Sequence, residues 1–349
     1  MVRRRRGDGR RGRRHPGDGA LDAAVSARRS RAGHPRRGPP LHAEGGRVAQ
    51  GGRRVRGARP PGERHRRRAR GLRPRRDRRE PFVTALLVDA HCHLDLPAFS
   101  SDRDAVWERA RARHVTRAVV PAVRPDTWRA TLECALPRER VVALGIHPHA
   151  LLTLPRAALD RGLKELAATA QAHRDQVVAI GECGLDASLD PAIVDPMLQR
   201  QVFLAQVAVA AALDLPLVLH VVRSHALALT LLRSVPLPSR RGMVHSYSGG
   251  PDLVRAWTEL GFHLSFGGAI TRPRARSPID SAKAVPDHRM LVETDAPDQL
   301  PTGVDRSDRR CEPCDLPVIA QSLATLRGQT LEHVSQVTTD NACALFGFR

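Results

Sequence analysis

Aromatic residues are scarce in this chain of 349 residues, which contains 7 Phe, 3 Trp and 1 Tyr. Proteins that bind single-stranded nucleic acid without catalysis stack the bases on aromatic side chains, so this composition counts against a binding module of that kind. Long apolar runs are missing as well. The longest stretches free of charged residues, Gln201–Leu213 and Val141–Pro155, are shorter than the roughly 20 residues that a membrane-spanning helix needs. The sequence therefore predicts a protein without a transmembrane segment.

Cysteine occurs only six times, at scattered positions. Small secreted domains carry closely spaced cysteines that form a disulfide framework, and that pattern is missing here. The first 30 residues also lack the apolar block of a secretory signal peptide. We therefore expect reduced thiols and a cytoplasmic protein. The one Cys-x-x-Cys pair, Cys311 and Cys314, supplies two of the four ligands of a structural zinc ion, and we interpret it as part of a loop.

Lysine is missing from residues 1–80, although this segment contains 28 arginines and only 7 acidic residues. The chain carries a formal charge of +21, and the whole excess lies in this segment, because residues 81–349 contain 29 basic and 29 acidic residues. Few Val, Ile, Leu or Phe side chains are available there to form a core. The sequence therefore predicts that residues 1–82 are a disordered, Arg-rich extension.

This extension has three interpretations. The absence of lysine favours the translation of sequence upstream of the true start, with Val83 as a plausible first residue, because lysine would serve a polybasic arm as well as arginine does. The second interpretation is an arm that binds phosphate backbones through its arginines. The third is a targeting segment, although transit peptides are rich in serine and poor in acidic residues.

Residues 83–349 show the alternation of a parallel α/β protein. Short apolar runs alternate with longer amphipathic stretches, and strands without internal polar positions are typical of a parallel sheet covered on both faces. Eight such units match the size of a (β/α)8 TIM barrel. An open doubly wound sheet is the alternative, but no Gly-rich phosphate loop follows the first run. The predicted strands are Ala85–Ala90, Ala118–Val123, Val141–Ile146, Val177–Gly181, Leu215–Leu219, Gly242–Val244, His263–Gly267 and Met290–Val292.

Residues that bind metal ions occur where the predicted strands end. His91 and His93 occupy alternate positions and so point the same way. The carboxyl ends of the strands form one rim in a barrel, so residues far apart in sequence can meet there. Four imidazoles and two carboxylates exceed the needs of one tetrahedral ion and suit two ions bridged by a carboxylate. The six candidate ligands are His91, His93, Glu182, His220, His245 and Asp295.

Six short motifs follow one another along the chain. They are Asp89–Asp95, Gly145–Pro148, Gly181–Asp186, Leu215–His220, His245–Gly249 and Glu293–Pro297. Together they resemble the TatD-type metal-dependent deoxyribonucleases of the amidohydrolase superfamily. The resemblance runs from about residue 86 to Phe346 and leaves residues 1–80 uncovered. It implies a TIM barrel and the divalent-metal-dependent hydrolysis of nucleic-acid phosphodiesters, as a 3′-end exonuclease on single-stranded DNA.

The same resemblance divides the six ligands between two divalent ions, Mg²⁺, Mn²⁺ or Zn²⁺, with Glu182 as the bridge. Asp295 would also act as the base toward a water molecule whose pKa the ions lower. The first ion would be held by His91, His93, Glu182 and Asp295, and the second by Glu182, His220 and His245.

Three further residues are candidates for contact with the substrate. His147, in the loop after the third strand, could bind phosphate or stabilise the leaving oxygen. Tyr247 stands where the family usually has Phe, which keeps a ring for stacking. The family's usual Arg, two residues after the histidine of the fifth strand, is replaced by Val222, and Arg223 follows it. Glu293, two residues before Asp295, is expected behind the ligands.

Two other functions stay open. The same metal site could hydrolyse an ester or amide on a tRNA or a small molecule, because substrate choice depends on loops. Related barrels often bridge their metals with a modified Lys on the fourth strand, and Glu182 in this place favours the nuclease branch. The other function is nucleic-acid binding through the basic arm, with an inactive barrel. The presence of all six metal ligands argues against this function. We expect a monomer that acts on nucleic acid and does not associate with a membrane.

Overall fold

The computed structural model describes residues 86–348 of the chain. Within these residues, eight β-strands alternate with nine α-helices and several short 3₁₀ helices. The strands are β1 (Leu87–Asp89), β2 (Val115–Pro121), β3 (Arg140–Leu144), β4 (Val177–Asp186), β5 (Leu217–Val222), β6 (Gly242–Val244), β7 (His263–Phe266) and β8 (Met290–Val292). The helices are α1 (Arg103–Ala112), α2 (Trp128–Glu133), α3 (Arg156–Ala172), α4 (Pro196–Leu213), α5 (His225–Arg233), α6 (Pro251–Glu259), α7 (Arg276–Ala284), α8 (Leu316–Arg327) and α9 (Leu331–Phe346).

The eight strands form one parallel sheet, in the order β1 to β8. The last strand also meets the first, because the Ala90 amide donates to the Val292 carbonyl at 3.1 Å. Just beyond, the Asp295 amide donates to the His91 carbonyl at 2.9 Å. These bonds join β8 to β1 and bring the sheet round into a barrel. The predicted (β/α)8 TIM barrel is therefore confirmed.

The inside of the barrel is packed with apolar side chains, as the alternation of each strand requires. Leu345 and Phe346 of α9 pack against this cluster. His220 comes two residues after Val218 on β5, so its side chain points to the same side, one step closer to the carboxyl end. The polar side chains at the strand ends therefore lie above a packed layer. Seven strands each contribute one apolar residue to the cluster: Val88, Val119, Ala143, Ala179, Val218, Met243 and Leu291.

Two glutamines of α4 hold the backbone of two loops at the carboxyl rim of the barrel. The Gln206 side chain accepts from the Ile146 amide at 2.7 Å and donates to the Ile146 carbonyl at 3.0 Å. Gln199 binds Asp186 in the same way, at 2.9 and 3.3 Å. The two glutamines are seven residues apart and so lie on one face of the helix. This helix therefore fixes the segments that follow β3 and end β4.

Strand β4 is longer than the sequence predicts, since it continues past Gly181 to Asp186. All its residues from Ala179 onward are buried, and its register pairs Gly184 with His220 of β5. A Cβ at position 184 would lie 1.8 Å from the His220 carbonyl oxygen, so this close approach requires glycine. In the sequence, the glycines of this segment suggest that the strand ends at Gly181. In the structure they instead allow β4 to pack tightly against β5.

Three helices are not evident from the sequence pattern. Helix α2 has only six residues. Pro278 and Pro317 occur near the beginning of α7 and α8, where proline is tolerated because the first amides of a helix have no partner within it. In a sequence, the same prolines indicate a break.

The predicted extension over residues 1–82 lies outside the described residues, so its disorder and its boundary stay predictions. No helix within residues 86–348 is both long enough and apolar enough to cross a membrane. All six cysteines lie within the described part of the chain and are free thiols.

Candidate metal centre

One group of ligand atoms lies where β1 and β8 end and where β4 passes them. His91 Nε2 and His93 Nε2 are 3.1 Å apart. Each is 3.4 Å from Glu182 Oε2, and they lie 3.6 and 3.7 Å from Asp295 Oδ1. The four residues expected at the first ion therefore bring four ligand atoms to one small volume, although 204 residues separate His91 from Asp295.

A second group lies on the other side of the Glu182 carboxylate. His245 Nε2 is 2.8 Å and His220 Nδ1 is 3.2 Å from Glu182 Oε1, and the two ring nitrogens are 3.1 Å apart. The rings of His91 and His245, one from each group, stack with their centroids 4.0 Å apart. The two groups are therefore adjacent, and each oxygen of Glu182 faces a different group.

The chemistry of these atoms fits divalent cations. His93 Nδ1 lies 3.1 Å from the Pro121 carbonyl oxygen, which accepts its proton, so a neutral His93 presents a lone pair at Nε2. Glu182 is only 2 % exposed, and a buried carboxylate is costly unless positive charge compensates it. Imidazole and carboxylate are the usual ligands of Zn²⁺ and Mn²⁺, and carboxylate also suits Mg²⁺.

Burial and charge shift the pKa values of the ligands in both directions. Against the effect of burial, neighbouring carboxylates raise the pKa values of His220 and His245, so an ion that binds these two displaces their protons. Burial alone would raise the pKa of Glu182, but the imidazoles of His245, His147 and His91 hold it well below its ordinary value. Burial lowers the pKa of His91, so its imidazole is neutral at pH 7. Carboxylate and neutral imidazole are the forms that bind metal ions.

Polar side chains behind the ligands fix their orientation. Gln299 Nε2 donates to Asp295 Oδ2 at 2.6 Å, which leaves Oδ1 facing the first group. Glu293 Oε1 lies 3.5 Å from His245 Nδ1, on the side of the ring away from the ligand group. Glu293 thus contacts a candidate ligand from behind. Such outer contacts orient the ligands and tune a bound metal.

Asp89 links the ends of β1 and β8. Its Oδ1 accepts from the Thr294 amide at 2.9 Å and its Oδ2 accepts from the Thr294 hydroxyl at 2.5 Å. The side chain is fully buried, and burial raises the pKa of Asp89 to about 8. Because His91 and Asp295 are close neighbours of these two residues in sequence, this link keeps both ligands at the same end of the barrel.

His147 lies beside the second group. Its Nε2 is 3.2 Å from Glu182 Oε1, and its Nδ1 accepts from the His149 amide at 3.0 Å. Burial lowers the pKa of His147 to about 4, so the ring is neutral at pH 7 and carries its one proton on Nε2. His147 therefore presents a hydrogen-bond donor to the cluster.

The two other candidates for substrate contact are placed differently. Tyr247 is only 2 % exposed, its hydroxyl donates to the Gly250 carbonyl at 3.2 Å, and its ring packs against His225 and Phe266. The expected stacking role of Tyr247 has no exposed ring face to support it, because the ring belongs to the core. Arg223 is exposed directly after β5, in the left-handed conformation with φ of 52°.

Several polar residues of the site have no role in the sequence prediction. They include Asp186 and His149, which bind each other at 2.7 Å, and the glutamines of α4. Asp186 comes four residues after Glu182, and alternation along a strand would have placed the two on one side if β4 had been continued far enough. The glutamines give no signal in a single sequence, because their function is to hold the backbone of distant loops.

The Cys-x-x-Cys pair lies in a structural loop. Glu312 and Asp315 form a reciprocal capping box around the short 3₁₀ helix between them, and Arg306 binds Asp315 at 2.7 Å. Burial raises the pKa of the Cys311 and Cys314 thiols. Among the described residues, neither cysteine belongs to a group of three close ligand atoms. The interpretation of this segment as a loop is in agreement with these contacts.

A (β/α)8 barrel whose carboxyl rim carries buried histidines and carboxylates in ligand groups defines the class of this protein as a metal-dependent hydrolase. Comparison with known proteins gives the same class. The chain is 32 % identical over 262 residues to the uncharacterized metal-dependent hydrolase YabD of Bacillus subtilis, with 75 % of this chain and 99 % of that protein covered. It is 33 % identical over 265 residues to the 3′-5′ ssDNA/RNA exonuclease TatD of Musicola paradisiaca, with 74 % and 97 % covered.

The family and a solved structure agree with these relatives. The model of the family of TatD related DNases matches residues 88–347. The crystal structure of YjjV, a TatD homologue from Escherichia coli, superimposes with a TM-score of 0.68 at 31 % identity, over 75 % of this chain and 98 % of that one. The chain belongs to the family of TatD related DNases.

Proposed function

We propose that the protein is a two-metal nuclease that shortens single-stranded DNA from its 3′ end. The observation that carries the proposal is the position of Glu182, whose two carboxylate oxygens face two separate ligand groups, at 3.4 Å on one side and at 2.8 and 3.2 Å on the other. This arrangement suits a bridging ligand between two ions. A relative that is 33 % identical bears the name of a 3′-5′ ssDNA/RNA exonuclease, which supports the same substrate class.

Two divalent ions, when bound, lower the pKa of a water molecule and neutralise charge on phosphoryl oxygens. The side chains of this chain supply the remaining chemistry. Asp295, held at Oδ2 by Gln299, accepts the proton of the attacking water. His147 donates its Nε2 proton to a phosphoryl or leaving oxygen of the substrate. Arg223, exposed after β5, binds a phosphate of the DNA backbone.

The same proposal includes the state and the location of the enzyme. One chain supplies both ligand groups, so a monomer is sufficient for catalysis. The free thiols of all six cysteines are those of a protein in a reducing compartment such as the cytoplasm. We propose that the site binds two divalent ions that act together. Mg²⁺, Mn²⁺ and Zn²⁺ are the candidate metals.

The experiment that tests the proposal is turnover by the full-length protein. Single-stranded DNA labelled at its 5′ end is incubated with enzyme and Mg²⁺, Mn²⁺ or Zn²⁺, and in parallel with excess chelator. We expect a ladder of products that shortens from the 3′ end and disappears with chelator. Turnover of misacylated tRNA or of ester and amide substrates, with no effect on DNA or RNA, would instead support the alternative hydrolase.

A further inference from the structure

Asp186 is a buried carboxylate that the proposed chemistry does not use. Its side chain is 3 % exposed, and four hydrogen-bond donors surround it. Oδ1 accepts from the Ser188 amide at 2.8 Å and from the Ser188 hydroxyl at 2.5 Å. Oδ2 lies 2.7 Å from His149 Nε2 and 3.2 Å from His220 Nε2. Both oxygens are therefore occupied, and one of them touches two different histidines.

Both ring nitrogens of His220 lie 3.2 Å from a carboxylate oxygen, Nε2 from Asp186 and Nδ1 from Glu182. A neutral His220 that binds an ion through Nδ1 has its proton on Nε2, where Asp186 Oδ2 accepts it. Nδ1 is the nitrogen that faces Glu182 Oε1, at 3.2 Å, and His245 Nε2, at 3.1 Å. The carboxylate thus directs the lone pair of His220 into the second ligand group, in the way that a carboxylate behind a histidine orients it toward a metal.

A third cation between His149, Asp186 and His220 is the other interpretation, since these three residues also bring ligand atoms close together. That arrangement would require His220 to act as a ligand through both ring nitrogens, which a neutral imidazole cannot do. A distance of 2.7 Å between His149 Nε2 and Asp186 Oδ2 is also that of a charge-assisted hydrogen bond. Hydrogen bonds therefore explain this cluster better than an ion does.

The contact with His149 connects the same carboxylate to the substrate side of the site. The His149 amide donates to His147 Nδ1 at 3.0 Å, which keeps the proton of His147 on Nε2. The side chain of the same residue, His149, is bound to Asp186 at 2.7 Å. The backbone of Asp186 is held by Gln199, at 2.9 and 3.3 Å, so the carboxylate is itself firmly placed.

From these contacts we infer that Asp186 is a positioning residue with two functions. It directs the lone pair of His220 toward the second metal ion. Through His149 it also orients His147, whose Nε2–H donor lies beside the second ligand group. The inference rests on the proposed two-ion function.

The test measures metal binding apart from activity. Full-length wild type and Asp186→Asn are stripped of metal and titrated with Mn²⁺, with bound ions counted by electron paramagnetic resonance. We expect wild type to bind two ions, and Asp186→Asn to bind the first with unchanged affinity and the second about 10- to 100-fold more weakly. The matched control is Asp190→Asn, on the loop that follows β4, whose side chain accepts from the Ala192 amide and which should bind both ions as wild type does.

His149→Ala separates the two functions. It removes the side-chain bond to Asp186 but keeps the amide that donates to His147, so both ions should bind as in wild type while kcat falls about 10-fold or more. An unchanged kcat would overturn the function assigned through His149. Unchanged affinity for the second ion in Asp186→Asn would overturn the function assigned through His220.

A measurement on wild type covers the case in which Asp186→Asn does not fold. In ¹⁵N-histidine spectra of the Zn²⁺-saturated protein, the signal that disappears in His220→Gln should show the proton on Nε2. A proton on Nδ1 with none on Nε2 would overturn the inference. If wild type binds only one ion, or binds two and cleaves no phosphodiester, the proposed function fails, and that result is distinct from equal binding by wild type and Asp186→Asn.

Discussion

Gln299 and Asp295 form a hydrogen bond of 2.6 Å, from the side-chain amide of Gln299 to Oδ2 of Asp295. The same amide nitrogen donates to the Ser246 hydroxyl at 2.7 Å, so Gln299 links the loops that follow β6 and β8. The other oxygen of Asp295 remains free to face His91 and His93, at 3.6 and 3.7 Å. The proposed base is therefore held at one oxygen and used at the other.

This bond leads to the first prediction. Asp295→Asn should lower kcat by about 10²–10⁴-fold, because it removes the base. Gln299→Ala should lower kcat by about 10–100-fold, because the base stays but loses its orientation. Steady-state kinetics on single-stranded DNA measure both effects, and circular dichroism checks the fold. Gln321→Ala on the exposed surface of α8 is the control, and near-normal turnover of Asp295→Asn would show that another residue is the base.

His147 should act as a donor and not as a metal ligand, because the His149 amide occupies its Nδ1 and leaves the proton on Nε2. His147→Ala should therefore keep both ions and lower kcat by about 10²–10³-fold, as the loss of a donor to a developing charge does. Metal analysis of the purified variant, alongside its kinetics, tests this. Loss of one ion in His147→Ala would mean that Nε2 binds metal.

Protein stability should decrease in mild acid because of buried histidines away from the metal centre. Burial lowers the pKa of His263, at the beginning of β7, to about 4, whereas an unfolded histidine has a pKa near 6.5. Between these values the unfolded chain binds more protons, so the stability from this residue is complete above about pH 6.5 and is lost as the pH falls toward 4. The slope is at most about 1.4 kcal/mol per pH unit for one residue.

Urea unfolding of the chelator-treated protein at pH 7 and pH 5 measures this slope. His263→Gln should show a shallower loss of unfolding free energy than wild type. His173→Gln is a suitable control, since His173 is only partly buried, at the carboxyl end of α3. Equal slopes for wild type and His263→Gln would show that His263 titrates normally in the folded protein.

Activity should not require residues 1–82, because the described residues 86–348 contain all six ligands and the family match covers 88–347. A chain of residues 83–349 should have the melting temperature and the turnover of the full chain at physiological salt. Any contribution of the Arg-rich segment should appear only at low ionic strength, since it would come from contacts with phosphates. A large loss of turnover at physiological salt would contradict this prediction.

The sequence predicts the metal ligands well because two simple rules determine their positions. Side chains alternate along a strand, and the carboxyl ends of barrel strands meet at one rim, so His91 and Asp295 are brought together by topology alone. The position of β6, Gly242–Val244, is also predicted without error, because an apolar run between polar segments has one interpretation in a parallel sheet.

What the sequence does not reveal depends on contacts between distant segments. Nothing in a single sequence indicates that Gln206 binds the backbone of Ile146, sixty residues away. Tyr247 lies two residues after His245 in the same motif, yet its ring packs in the core against His225 and Phe266. The continuation of β4 to Asp186 depends on the fit of Gly184 against β5, which is a property of the packed barrel.

Metal analysis tests whether Glu182 bridges two ions. Full-length wild type, Glu182→Ala and the control Glu165→Ala, at an exposed position on α3, are saturated with Zn²⁺ or Mn²⁺, desalted and measured by mass spectrometry. We expect two ions per chain in wild type and in Glu165→Ala, none in Glu182→Ala, and no hydrolysis after chelation. One ion in wild type, two ions in Glu182→Ala, or full activity in excess chelator would contradict this expectation.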